Sequence, residues 1–249
     1  MADAQFTWAR SLDTSSAPYS EQDYPFDPGL NYGPSDYNVG KAFKLFGMWQ
    51  PVLFHGDNRW MERIAGGWSL SGIFNWHSGF PWTPTASVSN PNPLDPGGSL
   101  YCDNCGYTSL PAVYLGGAGT DTGNDQFKTG SNYSQGAAAY FVAPAYTAYT
   151  GVTTPPYGNA NPQLAHRNTL IGPRYRDVDI TLAKGFGLPN LPVLGENAKF
   201  EFRFDVYNLF NNLNFNPTTI SNNISNSNFG QATTALAGRT ATLGVRFSF

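Results

Sequence analysis

The feature that most constrains this chain is a strict alternation of apolar and charged residues over 198–210. Because side chains alternate between the two faces of a β-strand, a period of two predicts a strand. The predicted apolar face carries Phe200, Phe202, Phe204 and Val206, and the opposite face carries Lys199, Glu201, Arg203 and Asp205. Aromatic side chains opposite four charges are typical of a membrane-spanning barrel, so we expect the first set to face lipid and the second to face the lumen.

Five further segments alternate in the same way: 3–13, 39–55, 67–77, 174–186 and 239–249. They add Leu243 and Val245 to the predicted lipid-facing set, and Asp177 and Asp179 to the predicted lumen-facing set. The segment 39–55 is the least regular, because Phe46 and Met48 interrupt its polar face. A tilted strand of about 9–11 residues can cross a bilayer, and the last segment has this length.

The connections between these segments alternate between long and short. The long ones are 14–38, 81–172 and 212–238, and the short ones are 56–66 and 187–197. Short periplasmic turns and long outer loops are typical of outer-membrane barrels. The sequence therefore predicts an all-β fold, an antiparallel meander of about six long strands that forms the C-terminal part of a transmembrane β-barrel. The Asn, Gly, Pro and Ser residues of the long connections predict irregular, solvated backbone.

Composition excludes several other classes. Charged residues make up 12% of the chain, against about 25% in an ordinary soluble domain. The formal net charge of −3 gives no basic surface for nucleic acid, so no nucleic-acid partner is expected. No apolar run is long enough for a transmembrane helix, and 15% aromatic residues are untypical of a disordered chain. An all-β protein that is secreted or lies in an outer membrane remains.

Six stretches carry a resemblance to a known family. In chain order they are FTWARSLD (6–13), GPSDYNV (33–39), GGWSLSGIFNWHSGFPWTP (66–84), RNTLIGPRYRDVDITLAKGF (167–186), FEFRFDVYNLFNNLNFNP (200–217) and FGQATTALAGRTATLGVRFSF (229–249). Together they resemble the C-terminal end of TonB-dependent outer-membrane receptors, in the carboxypeptidase-regulatory-like, Oar-type branch. The resemblance covers nearly the whole chain and is least specific over 85–160.

The resemblance implies a place in a larger receptor. Such receptors have a signal peptide, a plug domain and a barrel of about 22 strands. We therefore expect residues 1–249 to be a partial outer-membrane barrel domain with a long extracellular loop at about 81–172, and with the plug domain and signal peptide absent. The implied function is nutrient uptake across the outer membrane, for a metal chelate, an oligosaccharide or a peptide. A segment of this kind is not expected to transport alone.

The resemblance also implies partners. They are outer-membrane lipid, the barrel-assembly machinery, the missing N-terminal barrel and plug of the same receptor, and the TonB complex through that plug. The last strand resembles the assembly signal of such barrels, with Thr242, Gly244, Phe247 and Phe249 at its key positions. An edge strand with unpaired backbone groups and outward aromatic residues can be recruited by strand pairing.

Cys102 and Cys105 form a CxxC pair, which has three interpretations. A zinc ribbon needs a second such pair, and a thioredoxin-type redox pair needs a βαβ setting. A local disulfide in an outer loop, formed in an oxidising compartment, is the interpretation we favour.

No catalytic or cofactor motif is present, so we expect no enzymatic activity, no metal site and no cofactor. The three histidines are widely separated, and Asp121 and Asp125 match only part of a calcium loop. The six tryptophans lie near predicted strand ends, where they are expected to anchor a barrel at the lipid interface.

Two alternative functions fit the sequence. One is a secreted soluble β-sandwich that binds glycans through aromatic loop residues. The other is a small oligomeric porin, closed by the association of six-strand pieces. The sandwich predicts that Phe200, Phe202 and Phe204 pack against a second layer of the same molecule, whereas a barrel leaves them uncovered.

Overall fold

A computed structural model describes residues 1–16, 28–51, 65–87, 109–114, 141–142, 164–187 and 198–248. The strands, numbered β1 to β14 in chain order, are Ala2–Trp8, Leu12–Asp13, Gly33–Pro34, Lys41–Trp49, Trp68–His77, Pro81–Trp82, Thr85–Ser87, Ser109–Pro111, Val113–Tyr114, Phe141–Val142, Leu170–Ile171, Tyr175–Gly187, Lys199–Tyr207 and Thr240–Ser248. A four-residue helix, α1, spans Pro28–Asn31, and a short 3-10 helix spans Pro217–Thr219. Within the described residues, no helix has the length and apolar character needed to cross a membrane.

The six long strands form one antiparallel sheet in the order β1-β4-β5-β12-β13-β14. Each strand pairs with the next long strand along the chain, so the predicted six-stranded meander is confirmed. The register is continuous across the sheet: Leu70 lies opposite Leu182, Leu182 opposite Phe204, and Phe204 opposite Leu243. β1 and β14 lie at the two edges, so the described strands do not close into a cylinder.

The register divides the side chains of the sheet into two faces, which we call the apolar face and the polar face. Phe200, Phe202 and Phe204 lie on the apolar face and are 37%, 45% and 45% exposed. Leu243, one strand further, is 74% exposed. These values show that no second layer of the described residues covers this face, which contradicts the β-sandwich alternative. Lys199, Glu201, Arg203 and Asp205 lie on the polar face, as the alternation predicts.

Aromatic side chains concentrate near the two ends of the apolar face. The end next to the short connections carries Trp68, Phe186, Phe200, Phe202 and Phe247, and the other end carries Phe6, Trp8, Phe43 and Trp76. The rings of Phe200 and Phe247 have centroids 4.8 Å apart. Between the two ends, one row across the sheet consists of small and aliphatic residues: Ala2, Gly47, Gly72, Ile180, Val206 and Ala241. Gly72 lies where two strands approach closely, since an added Cβ would be 3.2 Å from the Asp179 carbonyl oxygen.

Several strand boundaries differ from the predictions. The first strand ends at Trp8, and Leu12 belongs instead to the short strand β2. The segment predicted at 39–55 forms a strand only over Lys41–Trp49 among the described residues. Phe46 and Met48 do lie on its polar face, where Phe46 is opposite Ile73.

The strand predicted over 198–210 ends at Tyr207 because the backbone turns at Asn208. This residue has a φ of 51°, a left-handed conformation that asparagine tolerates better than most residues. Its amide donates to Asp179 Oδ1 at 2.9 Å, and its side chain exchanges hydrogen bonds with the backbone of Asn212. Phe210 therefore lies beyond the strand, although the sequence alternation includes it.

The long connections pack together at one end of the sheet and form what we call the outer cap, made of the described residues in 9–40, 78–174 and 208–239. The cap has its own small apolar core of Trp82, Ala86, Ala112, Ala165, Leu170 and Phe229. These core residues are buried, so the expectation of solvated backbone is wrong for them, while most described residues of 208–239 lie outside regular strands and helices, as the composition predicts. Trp82 is 8% exposed and its ring contacts Phe229 edge-on at 5.7 Å, so it is a core residue of the cap and not an interface anchor.

Candidate functional site

Among the described residues, the most extensive cluster of polar side-chain contacts surrounds Arg167 in the outer cap. The Arg167 amide donates to the Leu30 carbonyl at 2.9 Å, which fixes the backbone beside α1. The guanidinium Nη2 donates to Asp36 Oδ1 at 2.8 Å and to Ser16 Oγ at 2.6 Å, and Nη1 donates to Asp13 Oδ1. The Arg167 side chain is 8% exposed. A buried guanidinium is tolerated because two carboxylates neutralise it and several donors are satisfied.

Asn168 extends this arrangement to a third part of the cap. Its φ of 56° turns the chain so that the side chain points back toward the same carboxylate. Nδ2 donates to Asp36 Oδ1 at 2.7 Å and to the Pro34 carbonyl at 2.6 Å. Its backbone amide donates to Thr83 Oγ1 at 2.8 Å. The Arg167–Asn168 pair thus joins segments near residues 13, 36 and 83, which belong to two different outer connections.

Close backbone packing supports the same arrangement. At Gly33, an added Cβ would lie 2.3 Å from the Arg167 carbonyl oxygen, and at Gly79 one would lie 1.8 Å from the Gly172 carbonyl oxygen. Real Cβ atoms do not approach an oxygen this closely, so a larger residue at Gly33 would force two connections apart, and one at Gly79 would separate the two ends of the connection 78–174. The cap is therefore held by backbone contacts as well as by charges.

A polar cavity of about 290 Å³ adjoins the Arg167 cluster. It is lined by Thr14, Ser15, Asp36, Pro81, Trp82, Thr83, Thr85, Arg167, Asn168 and Asn222. The lining offers carboxylate, amide and hydroxyl groups beside one aromatic ring, a mixture that suits a small polar molecule. Among the described side chains, the buried Trp82 Nε1 has no hydrogen-bond partner.

The Arg167 cluster changes the pKa of the Asp13 carboxyl. Burial disfavours its ionised form, but hydrogen bonds from Arg167, Ser35 and Ser16 outweigh this, so the pKa of the Asp13 carboxyl lies below its usual value of 3.8. A carboxyl whose pKa is lowered by folding stabilises the folded state above its unfolded pKa. This contribution is lost as the pH falls through the folded-state pKa.

We therefore expect the cap to loosen on acidification below the usual pKa of 3.8 and to stay closed near neutral pH. The measurement is the rate at which an acid-tolerant protease cuts the outer connections as a function of pH. Asp13→Asn should raise cutting at neutral pH and weaken its acid dependence, because the ion pair to Arg167 is already gone. Asp3→Asn, an exposed position on β1, is the matched control and should change neither. Equal acid profiles for wild type and Asp13→Asn would contradict this account.

On the polar face of the sheet, the structure brings some of the predicted charges together. Arg203 Nε donates to Asp205 Oδ1 at 2.8 Å, and Thr181 Oγ1 donates to the same oxygen at 2.5 Å. Glu201 lies opposite Arg246 of β14 in the strand register. The charges thus alternate along β13, with Arg246 of β14 opposite Glu201 and the Thr181 hydroxyl of β12 bonded to Asp205, which is the arrangement expected of lumen-facing positions.

Asp177 and Asp179 lie on the same face but at its outer end. Their hydrogen-bond donors are a tyrosine hydroxyl and a backbone amide, not an arginine. Asp177 Oδ2 accepts a hydrogen bond from the Tyr175 hydroxyl at 3.1 Å, while Asp179 accepts the Asn208 amide. The ring of Tyr175 stacks on His77 with centroids 5.1 Å apart. These two carboxylates therefore shape the junction between the sheet and the outer cap.

Some of the remaining predicted site residues lie within the described parts of the chain, and others do not. Thr242, Gly244 and Phe247 lie on β14, at the sheet edge, and their role as an assembly signal stays a prediction. Phe249, Cys102 and Cys105 lie outside the described residues, as does the suggested calcium loop. In the part of the chain that the structure describes, no group of three or more His, Cys, Asp or Glu side chains is placed to hold a metal ion.

Sequence reasoning missed the Arg167 cluster. Arg167 and Asn168 begin the stretch RNTLIGPRYRD, but their partners Asp13 and Asp36 lie 154 and 131 residues away. The one available signal was a run of polar residues at the end of a long connection, next to a predicted strand. That signal indicates no particular partner.

The fold now defines a class of protein. A single antiparallel sheet with one apolar and one polar face, with short connections at one end and a cap of long connections at the other, is typical of outer-membrane β-barrels. Residues 1–242 match the outer membrane beta barrel domain family, and the chain belongs to this family. It is accordingly a protein of the outer membrane. The searches of curated proteins and of solved structures gave no match.

Proposed function

We propose that this chain is a wall segment from the C-terminal part of a TonB-dependent outer-membrane receptor for nutrient uptake. The observation that carries the proposal is the six-stranded sheet, whose edge strands β1 and β14 have no further strand partner among the described residues. Unpaired backbone groups cannot be satisfied by lipid, and membrane barrels have at least eight strands. The wall must therefore be completed by further strands, and a large receptor barrel supplies them.

In this proposal the apolar face lies against lipid. Between Arg176 and Phe186 on β12, this face extends over ten residue steps, or about 33 Å along the strand. With the usual strand tilt of about 35–45°, the corresponding height is about 23–27 Å, close to the apolar band of about 25 Å in such barrels. The aromatic residues at both ends then lie at the two membrane interfaces.

The polar face and the outer cap would form part of the ligand path. The long connections lie on the external side of outer-membrane barrels, so the outer cap faces the medium. The polar cavity beside Arg167 and the Tyr175–His77 stack lie along the route from the cap to the polar face. Transport also needs a plug and the TonB complex that acts on it, so we infer that this segment does not transport by itself.

The proposal is tested by the size of the protein in the native outer membrane. An antibody against the outer cap should detect a polypeptide much larger than 249 residues, and uptake of the nutrient should require the TonB complex. The coding sequence upstream of Met1 should then encode a plug domain in frame. Disruption of a plug-encoding sequence should abolish uptake without removing the barrel from the membrane.

An oligomeric porin is the alternative that the same open edges allow. It predicts a polypeptide of 249 residues that migrates as a defined oligomer in detergent and makes lipid vesicles permeable to small solutes. This result, obtained without TonB, would overturn the receptor proposal. Under the receptor proposal, the purified chain leaves the same vesicles impermeable.

A further inference from the structure

The polar cavity beside Arg167 is built by all three long connections of the outer cap. Asp36 comes from the connection before β4, Trp82 from the one after β5, and Asn222 from the one after β13. Residues that are far apart in the chain therefore meet around one space of about 290 Å³. Ligand cavities have volumes of about 300–1,000 Å³, so this one suits a molecule with a single small ring.

Backbone hydrogen bonds place Asn222 at the wall of this cavity. The Thr85 amide donates to the Asn222 carbonyl at 2.8 Å, and the Ile224 amide donates to the Thr85 carbonyl at 2.8 Å. Both bonds use main-chain groups. The Asn222 side-chain amide has no hydrogen-bond partner within the described chain, so its donor and its acceptor are available to a bound molecule.

Asp36 contributes a carboxylate with one unused oxygen. Arg167 Nη2 and Asn168 Nδ2 both donate to Asp36 Oδ1, at 2.8 Å and 2.7 Å. Asp36 Oδ2 accepts no hydrogen bond from the described residues, and the side chain is 64% exposed. Because an ionised carboxylate is a strong acceptor, this oxygen is suited to bind a hydroxyl group in the cavity.

A buried donor belongs to the same lining. The Trp82 ring lines the cavity, and within the described chain its Nε1 is buried without a hydrogen-bond partner. Buried polar groups are nearly always paired with the protein or with a bound molecule such as water. An acceptor on an occupant of the cavity would satisfy this donor.

The charges around the cavity disfavour an anionic ligand. Asp36 and Arg167 are the two charged residues of the lining, and they pair with each other. Asp13 is a second carboxylate on Arg167, so both terminal nitrogens of the guanidinium already donate to the protein. A phosphate or carboxylate ligand would meet two like charges and only a cation that is already neutralised.

We propose that this cavity binds one ring of a neutral sugar. Each sugar hydroxyl both donates and accepts, so neighbouring hydroxyls can donate to Asp36 Oδ2 and accept from Asn222 Nδ2 and Trp82 Nε1. The inference deepens the proposed function, since it names the class of nutrient, and it rests on that function for the transport of the sugar. Binding needs only the outer cap, because all the groups named lie there.

The test measures sugar binding to the purified full chain, without the TonB complex, in a polyoxyethylene detergent whose headgroup carries no sugar. Saturation-transfer NMR and calorimetric titration are carried out with D-glucose, D-galactose, D-mannose and N-acetyl-D-glucosamine. We expect at least one of them to bind with a Kd of about 10 mM or below. The phosphate ester of that sugar, and the neutral diamide N-acetylglycine N′-methylamide, should each bind at least about tenfold more weakly.

Two substitutions test the contacts. Asn222→Ala should lower the affinity for the sugar about threefold to tenfold, because it removes one neutral hydrogen-bonding group. Asp36→Asn keeps an oxygen for the bonds from Arg167 and Asn168 and replaces the unused acceptor with a donor, so it should lower the affinity about tenfold or more. Asn226→Ala, an exposed asparagine of the same connection outside the lining, is the matched control and should bind within about twofold of wild type.

Hydrogen exchange at the amides of Arg167 and Asn168 shows whether each variant keeps the cap closed, which separates loss of a contact from loss of folding. The proposal is overturned if none of the four sugars binds to wild type with a Kd below about 10 mM. It is also overturned if the phosphate ester or the diamide binds as tightly as the sugar, or if the cavity variants and the control bind equally. Either failure leaves the receptor proposal standing, because that proposal is tested by the size of the polypeptide and by the requirement for TonB.

Discussion

Leu70→Arg is expected to destabilise the protein in the membrane by about 2–4 kcal/mol, because it places a charge near the middle of the apolar face. Leu70 lies in the row that Leu182, Phe204 and Leu243 continue across the sheet, between Trp68 toward one end of β5 and Trp76 toward the other. If this face contacts lipid, the guanidinium cannot be hydrated at that depth. The measurement is the urea dependence of folding into lipid vesicles, together with the amount of folded protein in the outer-membrane fraction of expressing cells.

Ser71→Arg is the matched control, since it introduces the same side chain one residue further along β5, on the polar face. Ser71 lies in the register row of Thr181 and Asp205, where a cation meets a carboxylate and water. Its effect should stay below about 1 kcal/mol. If both substitutions cost the same, or if Ser71→Arg is the more damaging, the apolar face does not lie against lipid.

Arg167→Ala is expected to open the outer cap, with a local loss of about 2–4 kcal/mol. A buried ion pair that loses one partner leaves the other charge uncompensated, at a typical cost of about 3–5 kcal/mol. The value expected here is smaller because Asp13 and Asp36 are 21% and 64% exposed and regain water when the arginine is removed. Hydrogen exchange of the backbone amides of Arg167, Asn168 and Gly172 reports the opening directly.

The sheet should be unaffected by this change, because none of its long strands contributes a side chain to the cluster. Exchange at the amides of β12 and β13 should therefore remain at the wild-type rate in Arg167→Ala. Arg174→Ala is the control, as Arg174 is an exposed arginine seven residues away. Faster exchange throughout the sheet, or an equal effect of Arg174→Ala, would show that the cluster does not act locally in the cap.

The fold of the sheet follows from the sequence in considerable detail. Alternation with a period of two is a local property, because each peptide unit reverses the side-chain direction in an extended chain. The division of 199–207 into Phe200, Phe202 and Phe204 on one side and Glu201, Arg203 and Asp205 on the other therefore holds in the structure. The order of the six strands also follows from the sequence, since neighbouring antiparallel strands pair across their connections.

The ends of the strands depend on contacts that the alternation of apolar and polar residues does not encode. The pattern continues to Phe210, yet the strand ends at Tyr207 because Asn208 adopts a positive φ and binds Asp179 from the neighbouring strand. Leu12 has the right parity for β1 but pairs with Pro34 in a separate two-stranded sheet. In both cases a partner from another part of the chain decides where the pattern stops.

The sequence by itself determined the strands, their two faces and the membrane in which they belong, because these properties depend on side-chain polarity repeated along an extended backbone. The tertiary structure decided the outer cap. The ion pair of Arg167 with Asp13 joins residues 154 positions apart, and Trp82 packs against Phe229, which belongs to a different connection. Such contacts arise from the way in which the sheet brings the ends of its strands together, and no local pattern of residues encodes that proximity.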